Sequence, residues 1–143
     1  MSKILNMRVG TLNCRSIRTT PRLAELESAF QDVPFDIIGL TETRRTGPET
    51  LNLQQSGHLL FCSGQTGFLV HKRWAAQSSF HPLTERVSFL EVTTPVAIFR
   101  AVVGYAPTSA HSDDEFEDFL DSVVEALQRP LVHRRVRLPG LWS

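Results

Sequence analysis

Cysteine is scarce in this chain: Cys14 and Cys62 are the only two, and no CxxC pair exists. A disulfide framework is therefore excluded, and two reduced, mostly buried thiols in a reducing compartment are expected. Long apolar runs are also missing, and none approaches the length of a membrane span. The opening MSKILNMRVG lacks an apolar core followed by a small-residue cleavage site, so it does not read as a secretory signal. A soluble intracellular protein, nuclear or cytoplasmic and not secreted, is expected, with no membrane partner. Excess charge of one sign is missing too. The 15 basic residues balance the 15 acidic ones, which excludes a bulk basic nucleic-acid binder. No two histidine pairs have zinc-ligand spacing, and neither a G-x-S-x-G elbow nor a G-x-x-x-x-G-K-[ST] loop occurs. Zinc-finger, serine-hydrolase and P-loop readings fall away.

What remains is ordinary globular composition over 143 residues, enough for one domain. The charges are unevenly placed. Arg15, Arg18, Arg22, Arg44 and Arg45 lie early, whereas Asp113, Asp114, Glu115, Glu117, Asp118, Asp121 and Glu125 lie in one late segment. No Lys or Arg lies between Arg100 and Arg129. A phosphate-facing surface would therefore come from the early loops.

Met7 to Cys14 reads as a strand ending in polar residues. Thr20 is a candidate N-cap with Pro21 at the first helical position, and Leu23, Leu26, Ala29 and Phe30 follow at helical spacing. Phe35 to Leu40 reads as a buried strand. Gly47 to Gly57 reads as loop. His58 to Cys62 and Gly67 to His71 read as two strands of a hairpin around Ser63-Gly64-Gln65-Thr66. Arg86 to Thr93 and Val96 to Tyr105, with Thr94-Pro95 between them, predict an antiparallel pair. Asp113 to Leu127 is an amphipathic helix, its acidic first turn suited to the helix dipole, and Pro130 ends it. The order predicts an α+β, or mixed α/β, fold. Residues 131–143 change character: they are basic, contain no acidic residue, and read as a disordered tail.

Two strands end alike, in Leu12-Asn13-Cys14-Arg15 and in Leu40-Thr41-Glu42-Thr43-Arg44. If the strands are neighbours, Asn13 and Glu42 meet at one rim with Arg15 and Arg44 just beyond. A carboxylate beside an amide can hold a hard cation, which takes oxygen ligands, one or two carboxylates and waters. The arginines, including Arg45, can hold phosphate oxygens through charge-assisted hydrogen bonds. The same polar residues also serve as ordinary turn formers. Tyr105-Ala106-Pro107-Thr108 is a third strand end of this kind. Its phenol can orient a phosphate, or simply pack on the sheet rim with its hydroxyl in water.

Taken in order, Thr11 to Arg15, Asp36 to Arg44, Gly67 to Val70, Glu85 to Val87 and Gly104 to Thr108 resemble the endonuclease/exonuclease/phosphatase superfamily. In detail they are most similar to the apurinic-type endonuclease domains of non-LTR retrotransposons and to craniofacial development protein 2-like sequences. The resemblance covers the chain from about Met7 to Leu127. It implies a four-layered α/β sandwich of the DNase I-like type and metal-dependent phosphodiester hydrolysis with Mg²⁺ or Mn²⁺, with DNA as the expected substrate. Carried over by motif, Glu42 is the metal-ligand carboxylate, Asn13 supports metal and phosphate, and Tyr105 contacts the scissile phosphate. The family continues into Gly-Asp-Phe-Asn and a later Asp-His pair, and neither occurs here. The expectation is thus a partial domain over residues 1–130 with its C-terminal half missing, a sheet face left uncovered, and little or no activity. Each absent acid–base group is commonly worth about a hundredfold to ten-thousandfold. Two other readings stay open: a non-catalytic relic or interaction module, and a phosphatase acting on another phosphate ester.

Overall fold

The computed structural model describes residues 6–108 and 111–130. The expected tail 131–143 lies outside the described residues. The element order is β1 (Val9–Asn13), α1 (Thr20–Ala29), β2 (Ile37–Asn52), β3 (Leu59–Val70), a short 3-10 helix (Lys72–Gln77), β4 (Ser78–Thr84), β5 (Val87–Thr93), β6 (Ile98–Gly104) and α2 (Asp113–Gln128). The fold is mixed α/β, with two three-stranded sheets ordered β1-β2-β3 and β4-β5-β6. β1 and β2 run parallel and the other pairings are antiparallel.

The apolar positions explain the packing. In the first sheet, Ile38, Leu40, Leu60, Cys62 and Leu69 turn to one side, where Leu23, Leu26 and Phe30 of the α1 segment cover them. Ile37, Phe61, Phe68 and Val70 turn to the other side and meet Leu90, Val92 and Val103 of the second sheet. This alternation is the period-2 signature of strands with both faces covered. The outer face of the second sheet carries Val87 and Phe89 against Phe119, Val123 and Ala126 of α2. Each fully buried Phe, Leu, Ile or Val contributes roughly 1.5–3 kcal/mol. The expectation of an uncovered sheet face is thus not met between the sheets, because β4–β6 supply a facing sheet.

Two further expectations are corrected. β2 does not stop at Leu40, and residues 47–52 are strand and not loop. The expected hairpin around Ser63 to Thr66 is one bent strand, both arms of which pair with β2. The register slips twice, between Thr41 and Arg45 and between Arg45 and Glu49, and these bulges carry the pairing past the bend. Gly67 makes the bend possible, since a side-chain carbon there would lie 2.2 Å from the Phe61 carbonyl oxygen. Gly64, at φ +63, turns the bend against Glu85, whose Cα would lie 2.9 Å from any added side-chain carbon.

The helix ends match the capping chemistry. Thr19, one residue before the predicted cap, accepts from the Arg22 N–H at 3.4 Å, and Ser112 caps α2 through the Glu115 N–H at 3.2 Å. The Thr94-Pro95 turn holds as expected: Thr94 Oγ1 donates to the Ala97 carbonyl at 2.6 Å and accepts from the Ala97 N–H at 2.9 Å. At its far end α2 is tied to the sheet by Arg100. This arginine pairs with buried Glu91 and donates to the carbonyls of Ala126, Arg129 and Pro130. Among the described residues no helix is long and apolar enough to cross a membrane.

Candidate functional site

The parallel pairing of β1 with β2 sets Asn13 directly opposite Thr41, one residue short of Glu42. The chain after β1 keeps tracking β2: Cys14 N–H donates to Thr41 O at 2.9 Å, Ser16 N–H to Glu42 O at 2.7 Å, and Ile17 N–H to Thr43 O at 3.1 Å. The rim expected from the two similar strand ends is therefore present. Asn13, Arg15, Glu42 and Arg44 stand on adjacent turns of backbone.

That backbone is strained. Arg15 (φ 52), Ser16 (φ 80), Glu42 (φ 55) and Arg44 (φ 55) all occupy the left-handed region, and they are the only non-glycine residues to do so among the described residues. Each such position costs roughly 1–2 kcal/mol, and clusters of this kind gather where geometry serves a ligand. Thr43, buried between two of them, donates to Gly64 O at 2.8 Å and pins the bulge to the β3 bend.

The side chains divide into committed and uncommitted groups. Glu42 Oε1 accepts from Arg44 at 3.1 Å, and its second oxygen has no partner among the described residues. Asn13 Oδ1 accepts from the Arg15 N–H at 3.1 Å, the local turn its residue type favours. The Arg15 guanidinium is exposed and has no partner among the described residues. Arg45 is different. It is half-buried, bonded to Glu49 at 2.5 Å and to Ile17 O at 2.8 Å, which makes it a clamp across the bulge more than an open phosphate donor. The Glu49 hydrogen bond raises its already high pKa.

Tyr105 follows β6 in the second sheet. The connection to the rim runs through contacts: Thr66, opposite Thr41, shares a 2.8 Å hydroxyl bond with Ser88, and Ser88 lies opposite Val103. A carbon added at Gly39 of β2 would touch the Val103 methyl at 3.4 Å. Gln65 N–H, at the bend beside the Glu42 bulge, donates to Glu85 O at 2.9 Å, so Tyr105 follows its sheet on the side of that bulge. Its N–H donates to Arg86 O at 2.8 Å, and the Arg86 guanidinium lies 5.6 Å from its ring centre.

Several further residues stand at this rim that the sequence did not mark as individual site residues, although Arg18 was among the early arginines and Arg86 lay in one of the resembling motifs. Arg18 donates to Arg44 O at 3.2 Å and keeps its other nitrogens open. It lines a cleft of about 450 Å³ with Arg44, Arg45, Gly64, Gln65 and Glu85. Gln65 Oε1 is buried there without a partner. Arg86 joins Tyr105 to His111, which is 3.4 Å from the guanidinium and 3.0 Å from Thr108 Oγ1. The Ser63-Gly64-Gln65 turn was visible, but its closeness to Arg44 depends on the β2 bulges.

The donor set can be tested against a hard cation. Among the described residues no group of three or more His, Cys, Asp or Glu side chains gathers where a metal could sit. A multi-carboxylate cage is absent. One carboxylate with a spare oxygen, one amide oxygen and an open rim for water still fit Mg²⁺, which binds through one or two carboxylates and keeps its waters. The thiols take no part. Both are free and buried, and burial pushes Cys14 up to about 11 and Cys62 up to about 12.

No protein-family profile and no curated protein sequence matches the chain. Among solved structures it is similar to the endonuclease domain of TRAS1, a telomere-specific non-LTR retrotransposon, with a TM-score of 0.48 and 14% identity. The match covers 85% of this chain and 54% of that one, so the chain spans about half that domain's length. The functional reading therefore rests on this chain's own residues.

Proposed function

We propose that the Asn13–Glu42 rim is part of a metal-dependent phosphodiesterase site, with DNA as the substrate class, in a partial four-layered sandwich of the DNase I-like type. One observation carries the reading: the amide that ends β1 lies beside the first bulge of the parallel β2, where a carboxylate sits on left-handed backbone with arginines at the same rim. Glu42 and Asn13 would hold Mg²⁺ or Mn²⁺, which when bound would neutralise charge on a phosphate oxygen. Arg15 and Arg44 bind the flanking phosphates, where a planar guanidinium matches two oxygens. Arg44 leaves its weak, half-exposed ion pair with Glu42 to do so, at little cost because such pairs are worth about 0–1 kcal/mol. Tyr105 steadies the phosphate from the second sheet, with its backbone held by Arg86. Turnover is slow in this reading, because among the described residues no group of three or more His, Cys, Asp or Glu side chains gathers to share the acid–base work with Glu42.

The test is Mn²⁺ binding by electron paramagnetic resonance together with nicking of supercoiled plasmid in Mg²⁺. Glu42→Ala should lose the bound Mn²⁺ signal and any slow nicking, while retaining most DNA affinity. Equal Mn²⁺ binding in both proteins would defeat the metal assignment.

A further inference from the structure

The cleft beside the rim has a mixed lining that a phosphate alone does not explain. It measures about 450 Å³, within the roughly 300–1,000 Å³ of small-ligand sites. One part of the lining is cationic. Arg18 spends its Nε on the Arg44 carbonyl at 3.2 Å, and its terminal nitrogens have no partner among the described residues. The Arg44 guanidinium has only its ion pair with Glu42 among the described residues. Arg45 also lines the cleft, but Glu49 and the Ile17 carbonyl already hold it. The other part of the lining accepts. Gln65 Oε1 is buried with no partner, and the exposed Glu85 carboxylate has none among the described residues. The Gln65 N–H donates to the Glu85 carbonyl at 2.9 Å, which keeps the two residues side by side on one wall.

We propose that this cleft is a nucleotide subsite beside the Glu42 rim, with a phosphate on Arg18 and Arg44 and the amino edge of a base on Gln65 and Glu85. The inference rests on the phosphodiesterase reading and names the neighbouring nucleotide that this reading leaves open. A phosphodiester oxygen only accepts, so it suits the arginines and is repelled by the carboxylate. A buried acceptor without a partner is unfavourable until it meets a donor. Gln65 is only partly buried as a residue, and a rotation of its side chain brings the oxygen out to the cleft. Adenine, cytosine and guanine each offer an amino group to such acceptors, whereas thymine has none. The cleft also has room for a flat ring. A carbon added at Gly47 would meet no described atom within 4 Å, so that wall is bare backbone.

Fluorescence anisotropy of short single-stranded oligothymidylates, their central base kept or changed to guanine, adenine or cytosine, tests the proposal in EDTA. No metal is bound under these conditions. A failure here therefore leaves the Mn²⁺ test of Glu42 standing, and a failure of that test leaves this one standing. An amino-bearing base should tighten binding about threefold to tenfold over thymine. Gln65→Met should erase that preference. Arg18→Ala should weaken all four complexes alike and make their salt dependence shallower by about one phosphate contact. Should Gln65→Met lower the thermal midpoint, the exposed Glu85→Gln carries the test, because it removes the charge that favours an amino donor and leaves the backbone bond in place. Equal binding of all four oligonucleotides, or a preference that both variants retain, would overturn the proposal. So would the absence of binding, or competition by an inositol phosphate stronger than that by unlabelled oligonucleotide, which would make the cleft a site for another phosphate ester.

Discussion

Two carboxylates flank the apolar first stretch of β2, Asp36 just before it and Glu42 at its first bulge, and they are treated in opposite ways. Asp36, at the entrance, is buried and saturated: Oδ2 accepts from the Arg8 N–H at 2.7 Å, and Oδ1 accepts from Arg73 Nε and Trp74 Nε1, each at 2.8 Å. Burial alone would raise its pKa, but these donors together hold it below the ordinary 3.8. Glu42, at the exit, has one weak ion pair, a spare oxygen and a left-handed backbone. A carboxylate with all its acceptor sites filled is an anchor. A carboxylate kept under-bonded at a conformational cost is available to a ligand.

The largest effect should separate these two. Asp36→Ala strands the part-buried Arg8 N–H and Trp74 indole N–H and breaks the Arg73 ion pair, and should cost about 2–4 kcal/mol. Glu42→Ala should change stability by about 1 kcal/mol or less, since it removes a single ion pair whose Arg44 partner is about half exposed. Urea denaturation of both variants reads the contrast directly, and equal losses would erase the distinction between anchor and ligand site.

The anchored end should also set the acid limit of the fold. His58 and His71 stack beside Phe35, their ring centres 4.4 Å apart. Each uses Nδ1 to accept a backbone N–H, from Lys72 at 3.1 Å and from Arg73 at 3.2 Å. Burial first, then neighbouring positive groups, lowers both below the ordinary 6.5. The unfolded chain therefore takes up protons first as pH falls through about 6.5, and stability present above that value is lost toward the lower folded pKa values. The thermal midpoint should drop between about pH 7.5 and about pH 5 and flatten in the His58→Gln, His71→Gln double variant. Asp36 adds a further loss below 3.8 as its carboxylate is protonated.

The same contrast explains what could be read in the sequence. The rim was legible because two apolar runs each end in a polar residue and an arginine, and parallel pairing then sets those ends side by side. α2 was legible because its core face repeats at helical spacing. The continuation of β2 was not, since Glu42, Arg44, Gly47 and Pro48 are poor strand formers and only the bulged pairing with β3 carries them through. The anchor was read merely as the start of a strand, because the partners of Asp36 lie 28 to 38 residues away. Arg45 read as a phosphate contact because charge pattern alone does not reveal that Glu49 and the Ile17 carbonyl already occupy it.

The smallest effect is the sharpest probe of the strained end. Arg15 has φ 52 and its guanidinium has no partner among the described residues, so its side chain adds nothing to the fold that the structure shows. In Arg15→Gly the backbone strain is relieved, by up to about 1–2 kcal/mol. The greater freedom of glycine in the unfolded chain offsets about 0.4–1 kcal/mol of that. The net should be unchanged stability or a gain of up to about 1.5 kcal/mol, with DNA affinity reduced and its salt dependence shallower by about one phosphate contact. A thermal midpoint that rises while affinity falls would show that the chain holds Arg15 in this conformation for binding. A midpoint that falls with affinity unchanged would make the left-handed turn a structural feature and remove Arg15 from the site.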